Sequence, residues 1–76
     1  MLKYRWEHSQ KQRYYQVILA KDLFGEWMVT RIWGGISKAT GRITHLACPS
    51  YEEAIKLVDK IAKTRLARGY IDSTAF

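Results

Sequence analysis

Apolar and polar residues alternate through Leu2-Lys3-Tyr4-Arg5-Trp6-Glu7, the pattern of a half-buried strand with Leu2, Tyr4 and Trp6 toward a core. The polar run from His8 to Arg13 breaks that alternation and reads as a solvated connection. Tyr14 to Ala20 is aromatic and β-branched, the composition of a second strand. Tyr15, Val17 and Leu19 form one of its faces; Tyr14, Gln16 and Ile18 form the other. Lys21-Asp22-Leu23-Phe24-Gly25 has hairpin length and contains glycine, so it returns the chain antiparallel into a third strand, Glu26 to Trp33. On this strand Trp27, Val29, Arg31 and Trp33 share a face, opposite Met28, Thr30 and Ile32. Two registers are open. With Met28 and Ile32 inward, Trp27, Arg31 and Trp33 make an exposed aromatic-basic stripe; the opposite register buries the tryptophans. A polar connection from Gly34 to Gly41 leads into a fourth strand, Arg42 to Cys48.

After Pro49 the apolar period changes from two to nearly four. Ser50 and Glu53 have the spacing of a capping box, in which each side chain satisfies a backbone donor left unpaired at a helix start. The helix should run from Tyr51 to about Arg68. Ala54, Ile55, Val58, Ile61, Ala62 and Arg65 line one face, flanked by Leu57 and Leu66, with Arg65 snorkelling at the stripe's edge. Glu52–Lys56 and Asp59–Lys63 are favourable pairs on the outer face. Gly69 stands where a left-handed residue closes a helix, and Arg65 and Arg68 suit the negative end of its dipole. Tyr70 can fold back over the last turn, and Ile71 to Phe76 carries no usable pattern. The expected architecture is α+β: a small antiparallel sheet of about four strands with one C-terminal helix packed across one face. No repeat or linker interrupts it, so residues 1–76 read as a single domain.

Composition then narrows the function. A chain of 76 residues buries only about 60% of its unfolded surface, so its large aromatics have structural work before any other. Thirteen basic residues against seven acidic give a net charge of +6. Such an excess fits a polyanionic partner, nucleic acid before an anionic surface, through counterion release. Cys48 is the only cysteine, so no internal disulfide forms and a reducing compartment is expected. Met1 to His8 has no signal-like apolar run, and no stretch approaches the ~20 apolar residues of a membrane span. The expectation is a cytoplasmic protein without membrane contact.

The stretch that draws chemical attention is Arg31-Ile32-Trp33-Gly34-Gly35-Ile36-Ser37. It places a large aromatic at a strand end, before a double glycine that permits positive φ and leaves little bulk in front of the indole. A flat ring beside backbone N–H groups, with Arg31 and Lys38 near in sequence, suits a sugar-phosphate terminus. The plainer reading makes Trp33 a core cap and the glycines a turn. Lys38 and Thr40, among Gly34, Gly35 and Gly41, would make a backbone nest for phosphate, although ordinary loop chemistry explains the same residues. Lys56, Lys60, Lys63 and Arg68 are interleaved with Glu52 and Asp59, as on a solvated helix face. His45 and Cys48 are two candidate metal ligands, too few for zinc and sent to opposite faces by their odd spacing. Neither a nucleophile elbow nor a nucleotide fingerprint is present. Neither an enzyme nor a cofactor is expected.

Several of these pieces recur together in one family. Arg13-Tyr14-Tyr15 opens a strand, a second strand ends in Trp33-Gly34, a loop runs to Gly41, a helix starts at Ser50 to Ala54, and Arg65-Leu66-Ala67-Arg68-Gly69-Tyr70 closes it. In this order they resemble the WGR domain, named for a Trp-Gly-Arg motif and found in DNA-dependent poly(ADP-ribose) polymerases and short bacterial proteins. The likeness runs from about Leu2 to Tyr70. It implies a nucleic-acid-binding module, DNA before RNA, whose motif Trp and neighbouring basic residues contact a 5′-terminal nucleotide. By position Trp33 matches the motif Trp and Gly34 the motif Gly. Gly35 stands where the motif has Arg, Ser37 where the family usually has Gly, and Arg42 where it often has Gln. The missing guanidinium is a planar fork suited to phosphate, which Arg31 or Arg42 would have to supply. The expected site is therefore Trp33 and Gly34 with Arg31, Lys38 and Arg42 on the backbone, and with Lys3, Arg5 and Arg13 as an outer electrostatic rim. The alternative is a protein-interaction module or a homodimer, using Trp6, Trp27 or Trp33 of the aromatic sheet face.

Overall fold

A computed structural model describes residues 1–38 and 41–74; Thr40, a member of the nest considered above, lies outside them. Four strands and the helix form where the pattern puts them: β1 (Leu2–His8), β2 (Arg13–Lys21), β3 (Trp27–Gly35), β4 (Gly41–Cys48) and α1 (Tyr51–Ala67). A fifth, two-residue strand, β5 (Ile71–Asp72), was not expected. The sheet order is β4-β3-β2-β1-β5, with every neighbouring pair antiparallel. The fold is thus α+β, an open antiparallel sheet with one helix across it.

The tail joins the sheet through its backbone, which explains why its side chains carry no period. Ile71 and Asp72 pair with Glu7 and Trp6. Beyond them Ser73 donates its N–H to the carbonyl of Arg5 at 2.7 Å, and Arg5 donates its own to the Thr74 hydroxyl at 3.1 Å. The free edge of β1 is thereby partly closed, while β4 keeps an open edge.

Register decides which face of β3 is inward. Leu19 stands between Leu2 and Val29, and Tyr15 between Trp6 and Trp33, which in turn pairs with Arg42. The core is Trp6, Val17, Leu19 and Val29 from the sheet against Ala54, Val58 and Ile61 from the helix. Because Val29 is buried, Trp27, Arg31 and Trp33 lie on the helix-bearing face; Met28 and Ile32 point to the other, which carries no helix. Yet neither Trp27 nor Trp33 is fully buried.

The reason is the path of α1. Its first residue, Tyr51, packs edge-on to Trp27 with ring centroids 4.9 Å apart, at the first residue of β3. Near its end Arg65 lies over the rings of Tyr15 and Tyr70, at 4.3 and 5.0 Å. Tyr70 then meets His8, the last residue of β1, at 5.4 Å. The helix crosses the sheet diagonally and leaves one corner bare, where β3 ends and β4 begins. Trp33 occupies that corner.

Both helix ends follow their local chemistry. The Ser50 hydroxyl accepts the Glu53 N–H at 3.2 Å, but the Glu53 carboxylate turns to Lys56 at 3.6 Å, so only half of the capping box is seen. The Glu52–Lys56 and Asp59–Lys63 pairs are not among the ion pairs of the described residues; such exposed pairs gain too little to hold long side chains still. The helix stops at Ala67, one residue before the expected end. Gly69 takes φ +88° and donates to Leu66 at 3.1 Å, while Tyr70 donates to Arg65 at 3.0 Å, the two bonds of a Schellman close.

Candidate nucleic-acid interface

Trp33 is held in its row by a stack on Tyr15, with centroids 5.7 Å apart and planes 14° from parallel. Trp33 lines open clefts on both flanks. On the β4 side the cleft is bounded by Lys11, Arg13, Lys38 and Arg42, with Gly34, Gly35 and Gly41 as its floor, and encloses about 580 Å³. On the helix side Trp33 and Tyr15 share a second cleft with Lys11, Arg13, Arg31, Arg65, Arg68 and Tyr70. Seven of the chain's thirteen basic residues thus surround one aromatic pair, and among the described residues no carboxylate lines either cleft. Like charges gathered without counterions raise the local potential well above what the net charge alone provides.

Of the eight residues expected at the site and its rim, six come together: Trp33, Gly34, Arg31, Lys38, Arg42 and Arg13. Arg31 is steadied by the Thr44 hydroxyl, to which its Nε donates at 3.3 Å. Lys3 and Arg5 do not belong to the rim. They sit at odd positions of β1, on the face away from Trp33. Arg5 is tied there to Glu7 at 2.8 Å and lies over the ring of Tyr14 at 4.7 Å. Trp6 is 2% exposed and offers nothing to a partner.

The glycines act differently from the expectation. Gly34 and Gly35 are strand residues of β3, and the positive-φ glycines of the described residues are Gly25 and Gly69. What Gly35 contributes is space: a Cβ there would stand 3.1 Å from Cγ and 3.3 Å from Cδ of Lys38. The aliphatic stem of Lys38 therefore lies across the strand end where a motif arginine would begin. Gly41 is needed for close approach, since a Cβ would come within 2.9 Å of the Trp33 carbonyl oxygen and 3.0 Å of the Tyr14 hydroxyl.

Sequence reasoning assigned Arg65 to a snorkelling role and missed Lys11, Arg65, Arg68, Tyr15 and Tyr70 as neighbours of Trp33. The guanidinium of Arg65 is stacked against two tyrosines, and its Nε is buried without a hydrogen-bond partner. An unpaired buried donor is costly, and contact with two ring faces offsets part of that cost. The signal was present: Arg65 is a cation inside an apolar stripe. Gln12, in the loop after β1, is the single non-glycine residue of the described residues at positive φ, +51°. Its carbonyl accepts the Ile36 N–H at 2.8 Å, which ties the Lys11–Arg13 segment to the end of β3. Backbone strain of this kind, held by surrounding contacts, is often found beside binding surfaces.

His45 and Cys48 project to opposite faces of β4, and among the described residues no cluster of three His, Cys, Asp or Glu could hold a metal. Among the described residues no helix is long and apolar enough to cross a membrane. Searches of curated proteins and of solved structures each returned no significant match. The family model for the WGR domain matches residues 1–76, the whole chain, and the chain belongs to that family.

Proposed function

We propose that the protein is a nucleic-acid-binding module that engages DNA, RNA less well, at ends or along the backbone without sequence preference. The observation that carries this reading is the concentration of seven cations and no carboxylate around the Trp33–Tyr15 stack. Phosphates would be held in the two clefts, by Lys38, Arg42 and Arg13 on one flank and by Arg31, Arg65 and Arg68 on the other. Trp33 would stack on a terminal sugar or base, a contact worth ~1–3 kcal/mol. Lys38 takes up the phosphate contact that the motif arginine would make, because Gly35 leaves room for its stem. Among the described residues neither a recognition helix nor a β-ribbon shaped for a groove projects from the corner, which fits shape or end recognition rather than base readout.

The test is fluorescence anisotropy with two labelled duplexes, one with a 5′-phosphorylated end and one closed by hairpins. Tighter binding to the open end, steep weakening with salt and a loss of about five- to hundredfold on Trp33→Ala are expected. Absence of binding to either duplex at low salt would overturn the proposal.

A further inference from the structure

The opposite end of the β2–β3 hairpin presents a second unusual surface. Leu23 and Phe24 are 101% and 90% exposed, adjacent, and the two most exposed large apolar side chains of the described residues. The turn that carries them is braced. The Asp22 carboxylate accepts the N–H groups of Phe24 and Glu26, both at 2.9 Å, and Asp22 donates its own N–H to the Glu26 carbonyl at 2.8 Å. A rigid turn that keeps two large apolar groups in water loses hydrophobic stabilisation without any internal return. Adjacent exposed apolar groups of this size mark a contact surface.

Charge identifies the class of partner. Asp22 and Glu26 flank the tip, and the start of α1 lies at the same end, since Tyr51 packs on Trp27. Glu52 and Glu53 stand in that first turn. Of the nearby cations, Lys21 lies over the Trp27 ring at 5.2 Å and Lys56 is paired with Glu53. An acidic surround repels phosphates, so the tip suits neither nucleic acid nor an anionic lipid surface. It suits an open aromatic cleft rimmed by cations, and this chain carries one at its other end. The two are separated by the length of nine-residue strands, roughly 25 Å at the usual rise, so the tip cannot reach its own cleft.

We infer that the Leu23–Phe24 tip of one molecule docks in the Trp33 cleft of a second, a head-to-tail contact that nucleic acid displaces. Asp22 and Glu26 meet the cleft's arginines and lysines, while Phe24 joins its aromatic and guanidinium faces. As a heterologous contact it repeats from molecule to molecule, giving open chains, or rings where the rotation closes. It rests in part on the basic cleft being the anion-binding surface described above. The net charge of +6 opposes approach of two copies, so the expected contact is weak, with a dissociation constant on the order of 100 µM.

The experiment is sedimentation equilibrium of the full chain from about 10 µM to about 1 mM, a range bracketing that constant. The average mass should rise with concentration past that of a dimer. Phe24→Asp and Trp33→Ala should each stay near 8.9 kDa alone. Mixed together they should form a one-to-one dimer and stop there, because one retains the cleft and the other the tip. A 5′-phosphorylated duplex should return the unmodified protein to one-to-one complexes. A constant monomer mass, association that survives Phe24→Asp, or a mixture that stays monomeric would each overturn the inference, as would chains left intact by a duplex that binds them. Duplex binding by Phe24→Asp, measured by anisotropy below 10 µM or thereabouts, should match the unmodified protein. Failure of that binding in both proteins, with association intact, would sink the nucleic-acid reading alone.

Discussion

Trp6 and Trp33 stand in one cross-strand row, on one face of the sheet, on either side of Tyr15. The first is 2% exposed and belongs to the core; the second is half-open and walls two clefts. Their own strands give no reason for the difference, since both continue an alternating pattern inward. The diagonal of α1 makes it. The helix covers the row as far as Tyr15 and stops, so the same residue type is structural on one side and available on the other. The face that buries the core thus also carries the candidate interface.

The strongest way to break this comparison is to truncate both tryptophans. Trp6→Ala should cost about 3–5 kcal/mol of unfolding free energy in urea denaturation. Trp33→Ala should cost about 1–2 kcal/mol, the loss of its stack on Tyr15 and partial burial. Equal losses would mean that the corner is as much core as the centre. Arg65 sharpens the boundary between the two. Arg65→Met keeps the apolar stem and removes the buried donor without a partner, so stability should change by less than about 1 kcal/mol. Affinity for a 5′-phosphorylated duplex should nevertheless fall severalfold by anisotropy. Gly69→Ala should cost about 1 kcal/mol, because φ +88° is strained for alanine and the new methyl would stand 3.1 Å from the His8 ring nitrogen. It would loosen the helix end that frames the second cleft.

The smallest effect concerns acid. Hydrogen bonds from the Thr74 side chain and backbone hold the Asp72 carboxyl below its ordinary value of 3.8. A depressed carboxyl stabilises the folded chain fully above that value, and the contribution is lost as pH falls through the lower, folded pKa. The protection of the β5 amides, measured against the intrinsic exchange rate at each pH, should therefore fall below about pH 3.8, before protection at Trp6 or Val29 responds.

The alternation of Leu2 to Glu7 and Tyr14 to Ala20, the hairpin at Gly25, the Ser50 cap and the Gly69 close were all legible, because each depends on neighbours within a few residues. The grouping of Trp33, Arg31, Lys38, Arg42 and Arg13 was legible through the family likeness and sequence proximity. β5 was not, since its pairing is made by backbone groups 64 or more positions from their partners in β1, with no side-chain period to announce it. The inward face of β3 was also undetermined, as both faces hold apolar residues and only the helix's position chooses. Lys3 and Arg5 were misplaced for a related reason: proximity in sequence does not say which side of a pleat a cation takes. Arg65 and Tyr70 lie more than thirty positions from Trp33, and the helix crossing alone brings them to it.

Arg65 has one more consequence. It plugs the space between Tyr15 and Tyr70 and at the same time walls the cleft, so whatever fills the cleft presses on the closing turn of the helix. Occupancy at the corner should then be felt as slower solvent exchange of the amides of Gly69 and Tyr70. The turn that closes the helix would then report whether the cleft it helps to wall is filled.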